Sequence, residues 1–135
     1  MDIKNFLMEN VKPAKDTKDI HFDRFQSPFV IQSITERENT ALRRKFTNKR
    51  FSKSGNRVVD VDYDRYQDAL VARCVKVPDL ANAELQASYG TEGSEIDTLK
   101  AMLMTGEYAD LTEEIVAFNG FDSDHENELI DEVKK

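Results

Sequence analysis

The sequence has little of what small proteins use to bind metals or cross-link themselves. Its 135 residues contain one cysteine, Cys74, which excludes an intramolecular disulfide framework. The two histidines, His21 and His125, are far apart, so no Cys/His cluster has zinc-site spacing. No apolar run approaches the roughly 20 residues of a membrane span, and Met1–Asp19 lacks a signal-peptide pattern. There is no internal repeat and no low-complexity segment. These absences predict one cytosolic domain over residues 1–135, with no metal, cofactor or membrane contact. The length suffices to bury a core without cross-links.

Charge is what the sequence has in excess. There are 26 acidic residues against 19 Lys and Arg, for a net −7. That balance argues against coating nucleic acid. The net figure hides a split: residues 1–91 sum to +3 and residues 92–135 to −10. Arg43, Arg44, Lys45, Lys49, Arg50, Lys53 and Arg57 form a block of seven positive charges with no acid between them. Phe46 and Phe51 interleave with this block, as aromatic residues do in single-stranded nucleic-acid binders. The plainer reading is a solvated connection, and the acidic remainder of the chain supports it, because its field opposes a polyanion. A third reading is a docking surface for an acidic protein partner.

The periodicities predict a short helix at residues 2–9, capped by Asp2, with Ile3, Phe6 and Leu7 on one face. A Pro13-containing linker follows. Strands are expected at residues 18–25 and 29–33 as an antiparallel hairpin. Thr35 with Glu38 is a capping box that opens a helix with Ala41, Leu42 and Phe46 as its apolar positions. Arg57–Val61 reads as a third strand. Asp62 caps a helix over 63–76, with Tyr63, Tyr66, Leu70, Cys74 and Val77 in one stripe. Pro78 stops it. Asn82–Ser88 is a brief helix closed by a left-handed Gly90. Ile96, Leu99, Met102 and Leu103 share a helical face that Gly106 ends. Tyr108, Leu111, Ile115 and Phe118 form the next stripe, closed by Asn119-Gly120. A last acidic helix at 122–134 carries Leu129, Ile130 and Val133. The expected class is α+β and helix-dominated, with a small N-terminal antiparallel hairpin or three-stranded sheet followed by packed short helices. Residues 1–61 hold the strands and the basic loop, and residues 62–135 the helical part.

No catalytic motif emerges. Asp122, Asp124, Glu126 and Glu128 alternate like calcium-loop ligands, but Asn127 and Val133 occupy the positions that need Gly and Glu. Asp60, Asp62 and Asp64 fail in the same way at Arg65 and Val71. Gly90-Thr91-Glu92-Gly93 lacks the Lys-Ser/Thr of a phosphate loop and reads as a helix connection. Cys74 lies on an apolar stripe and reads as a buried structural thiol. His21 and His125 read as surface residues, and Glu113-Glu114 as a solvated helix face.

Several segments together are similar to one family. VPDLANAELQASYG at Val77–Gly90 and MLMTGEYADLTEEIVAFNGF at Met102–Phe121 resemble XkdN-like phage tail assembly chaperones. So do the FL-x-EN helix at Phe6–Asn10 and ITERENTALRRK at Ile34–Lys45. The resemblance keeps segment order over nearly the whole chain. It implies a non-enzymatic protein of phage or prophage tail modules that works in the host bacterial cytoplasm and is absent from the finished virion. It implies binding to the long, helical tape measure protein, with tail tube subunits as further partners. Two alternatives stand beside it: a nucleic-acid-binding accessory protein using residues 43–57, and a minor structural tail protein. The −10 segment beside an apolar stripe suggests a partner surface built from Tyr108, Leu111, Ile115, Phe118, Phe121, Leu129, Ile130 and Val133. Met8, Met102 and Met104 would add adaptable apolar surface.

Overall fold

A computed structural model describes residues 1–14 and 16–120. The expected last helix at 122–134, His125 and the partial calcium loop at Asp122–Glu128 lie outside the described residues. The α+β class is found. A three-stranded antiparallel sheet is formed by β1 (Thr17–Ile20), β2 (Phe29–Gln32) and β5 (Val75–Val77), in the order β1-β2-β5. A separate two-stranded ribbon joins β3 (Thr47–Phe51) to β4 (Arg57–Val61). Among the described residues there are five α-helices: α1 (Glu36–Lys45), α2 (Tyr63–Cys74), α3 (Ala83–Tyr89), α4 (Glu95–Met102) and α5 (Thr105–Phe118).

Local chemistry sets most element starts. The Thr35 hydroxyl accepts the Glu38 N–H at 3.2 Å, and the Asp62 carboxylate accepts the Arg65 N–H at 3.2 Å. Asn82 does the same for Leu85 at 3.0 Å. Each satisfies a helix N–H that has no intrahelical acceptor. Gly90 ends α3 at φ +66°, a conformation that costs a residue with a Cβ about 1 kcal/mol or more.

The core is built around α2, which packs against α1, α4 and α5. Ile31, Val71, Cys74, Leu99, Leu111 and Ile115 are essentially solvent-free within it. At the turn after β1, Phe22 and Phe25 close over Phe29 edge-on, with ring centroids 5.4 and 5.0 Å from it.

Five sequence expectations change in detail. Residues 2–9 form two 3-10 turns, Ile3–Phe6 and Met8–Asn10, although Asp2 caps the first as expected. Too few residues without a packed face cannot offset the cost of nucleating an α-helix. The strand expected to run to residue 25 ends at Ile20, where the chain turns to bring in Phe22 and Phe25. Ala41 is exposed, and the buried position of α1 is instead Asn39. The helix expected over 63–76 stops at Cys74. Val75 and Val77 leave it to pair with Ile31 and Val30, so this segment, not Arg57–Val61, supplies the third strand of the sheet. Gly106 lies inside α5, and the break falls at Leu103–Met104.

Candidate partner-binding surfaces

The α5 stripe, expected to meet a partner, faces inward. Leu111 and Ile115 are 0 % exposed and belong to the protein's own core. Tyr108 and Phe118 are half-buried against that core. An amphipathic stripe is satisfied equally by core or by partner, and here α2 and β2 cover it. Phe121, Leu129, Ile130 and Val133 lie outside the described residues.

Polar contacts fix α5 along its length. The Tyr108 hydroxyl donates to Asp68 at 2.7 Å, and Lys100 donates to the other oxygen of the same carboxylate at 2.6 Å. The Lys100 ammonium also lies 5.8 Å from the Tyr108 ring centre. Burial, then the hydrogen bond to Asp68 and its charge, push the Tyr108 phenol well above its ordinary 10.0. The folded state therefore keeps a proton that the unfolded chain releases above pH 10. Stability is unaffected below that pH and falls as pH rises beyond it. Urea midpoints measured from pH 8 to 11.5 should show this decline, and Tyr108→Phe should flatten it.

At the start of α5, Glu107 accepts the Met104 N–H at 2.8 Å and meets the Arg24 guanidinium, whose Nε is 3.1 Å from Oε2. Arg24 also donates to the Met102 carbonyl at 2.9 Å. The Arg24 hydrogen bond, followed by the backbone one, holds the Glu107 carboxyl below its usual range. At the far end, the Asn119 side chain accepts the Ile34 N–H at 2.9 Å and donates to the Ile115 carbonyl at 2.8 Å. It thereby ties the end of α5 to the connection between β2 and α1. No spacing pattern in the sequence marks this residue beyond its role as a helix terminator.

The basic block is ordered. Arg43, Arg44 and Lys45 end α1, where positive charge suits the helix dipole. Lys49 and Arg50 lie on β3, Lys53 in the turn, and Arg57 on β4. Of the seven, Arg50 has an acidic partner among the described residues, Asp60, at 3.0 Å. Phe46 is half-buried beneath Arg65, whose guanidinium carbon is 5.6 Å from the ring centre. Phe51 stands 77 % exposed at the other end of the strand, about 17 Å of extended chain away. The two rings therefore do not form adjacent stacking positions.

Other apolar surface lies open. Ile3, Phe6, Met8 and Val11 of the N-terminal turns are all more than half exposed. Met104 is exposed as well, whereas Met102 is a core residue. A groove of about 630 Å³ runs between α1, α2 and the α3–α4 connection. Leu42, Phe46, Ala69, Ala72 and Ile96 line it, with Lys45 and Arg73 also bordering it. The Gly90–Gly93 connection is held by Gln86, which accepts the Gly93 N–H and donates to the Leu80 carbonyl, both at 2.9 Å. Cys74 is buried, as its stripe position predicts, and burial pushes its thiol up from 9.0. His21 is exposed on the polar side of its segment. Among the described residues no three or more His, Cys, Asp or Glu side chains gather to hold a metal, and no helix is long and apolar enough to cross a membrane.

These features define a small α+β fold whose distinctive chemistry, among the described residues, lies in exposed apolar and basic surface. A family model described as the phage XkdN-like tail assembly chaperone protein matches residues 3–134, and the chain belongs to that family. Two proteins of Bacillus subtilis (strain 168) are similar. The phage-like element PBSX protein XkdN is 27 % identical over 107 residues, 79 % of this chain and 72 % of its own. The uncharacterized protein YqbN is 27 % identical over 100 residues, 74 % of this chain and 67 % of its own. The crystal structure of YqbN has the same fold, with a TM-score of 0.73 at 22 % identity, over 90 % of this chain and 98 % of that one.

Proposed function

We propose that this protein is a non-catalytic chaperone that binds the tape measure protein of its phage or prophage during tail assembly and hands it on to tail tube subunits. It works in the host cytoplasm and leaves before the virion is complete. The observation that carries this reading is the family match, which spans residues 3–134. The surface chemistry supports it. A chaperone for a long helical client needs open apolar surface and enough charge to stay dispersed. The exposed N-terminal residues Ile3, Phe6, Met8 and Val11 and the groove between α1 and α2 supply the first. The net −7 supplies the second. Because Leu111 and Ile115 serve the core, the partner surface first expected along α5 passes to Phe121, Leu129, Ile130 and Val133 and to these open faces.

Co-expression with the tape measure protein of the same tail module tests the reading. The client should move from the insoluble to the soluble fraction and elute with the chaperone in gel filtration. Unchanged client solubility, or the chain found at stoichiometric level in purified virions, would overturn it.

A further inference from the structure

Beyond Thr47 and Val61, which are half-buried, the β3–β4 ribbon presents one face that stays exposed among the described residues. Its register pairs Lys49 with Val59 and Phe51 with Arg57, so these four side chains share a face. Phe51 is 77 % and Val59 54 % exposed there. Arg50 and Asp60 pair on the opposite face, whereas Lys49 and Arg57 have no acidic partner among the described residues. Arg44, Lys45 and Lys53 extend the positive field around it. An amphipathic, cationic face on a two-stranded ribbon calls for a covering segment, because such ribbons are marginal alone.

We propose that this face holds the chain's own residues 122–133 while no partner is bound. The segment reads Asp-Ser-Asp-His-Glu-Asn-Glu-Leu-Ile-Asp-Glu-Val, with six carboxylates, no Lys or Arg, and Leu129, Ile130 and Val133 as its apolar members. It therefore matches the face in both charge and apolar content. The distance is within reach. Asn119 is tied to Ile34 at the start of α1, and α1 carries the chain about 15 Å to the ribbon. Extended, the ten residues 121–130 span about 33–36 Å, which exceeds that distance of about 15 Å plus the roughly 17 Å of strand between Phe46 and Phe51, so Leu129 can reach Val59 and Ile130 can reach Phe51. The tether gives the segment an effective concentration in the mM range, so it outcompetes a dilute external anion at the same face. Parking it there shields the apolar residues of both parts between encounters with a client.

The test is zero-length carbodiimide cross-linking of the full-length protein alone, as an equal mixture of ¹⁴N- and ¹⁵N-labelled chains, read by mass spectrometry. It involves no tail protein, so its result is separate from that of the co-expression test. Amide bonds from Glu126, Glu128, Asp131 or Glu132 to Lys45, Lys49 or Lys53 are expected, within single-isotope chains. They should fall at least threefold from 0.05 to 1 M salt, as exposed charge pairs are screened. Arg57→Glu should cut the links at Lys45 and Lys53 at least fivefold without changing either lysine. Links spread evenly over Lys4, Lys18 and Lys76, or links indifferent to Arg57→Glu, overturn the proposal. Mixed-isotope links also overturn it, assigning the face to a second copy.

Discussion

Leu111→Ala is expected to remove about 3 kcal/mol of folding stability, a shift of about a hundredfold in the folding equilibrium. Leu111 has no exposed surface and sits where α5 meets the core built on α2. Truncation removes its transfer free energy and leaves a cavity that rigid neighbours such as Leu99 and Ile115 fill only in part. The measurement is a urea titration, in which the midpoint should fall with little change in slope. Val59→Ala, on the exposed ribbon face, should stay within about 0.5 kcal/mol of the parent. The opposite ordering would return the α5 stripe to the partner-binding role first suggested by its pattern.

The second large effect is expected at Asn119. Asn119→Ala leaves the Ile34 N–H without its acceptor at a half-buried corner, while the Ile115 carbonyl loses the side-chain donor but keeps the residue 119 backbone N–H at 3.0 Å. Stranding the Ile34 N–H costs about 1–3 kcal/mol. The lost bond also frees the end of α5 from the connection that leads into α1. Amide exchange at Ile34 should accelerate beyond the change caused by lower global stability. Asn119→Asp keeps the acceptor and should retain part of the protection at Ile34 while still losing the donor. Equal exchange rates at Ile34 in all three proteins would show that the bond does not hold this corner.

The sequence was most legible where one residue controls one local interaction. Thr35, Asp62 and Asn82 mark helix starts because a short polar side chain before an apolar period can satisfy an end N–H. Gly90 marks a stop for an equally local reason. Features that depend on a distant partner were not legible. Val75–Val77 continues a helical pattern, and only pairing with β2 pulls it into the sheet. Thr47–Phe51 reads as polar connection, yet β4 matches it residue for residue. The Asn39 carbonyl accepts the Tyr66 hydroxyl from a neighbouring helix, so a polar residue takes the buried position that hydropathy assigned to Ala41. Among the candidate site residues, the basic block was visible as charge, but its division between a helix end and a ribbon face was not. The α5 stripe was visible as a stripe, but whether core or partner covers it is a tertiary fact.

The sheet order also sets the sequence of events during synthesis. β2 pairs with β1 from nearby in the chain, but its other edge waits for β5, more than 40 residues later. Until Val75–Val77 leaves the ribosome, β2 presents an open edge lined by Phe29 and Ile31, side chains that end up buried. α5, which supplies Leu111 and Ile115 to the same core, emerges later still. The nascent protein thus passes through a stage with the hazards of the aggregation-prone polypeptides that chaperones attend. The basic block, translated between the two halves of the core, adds like-charge repulsion between neighbouring nascent chains during that interval.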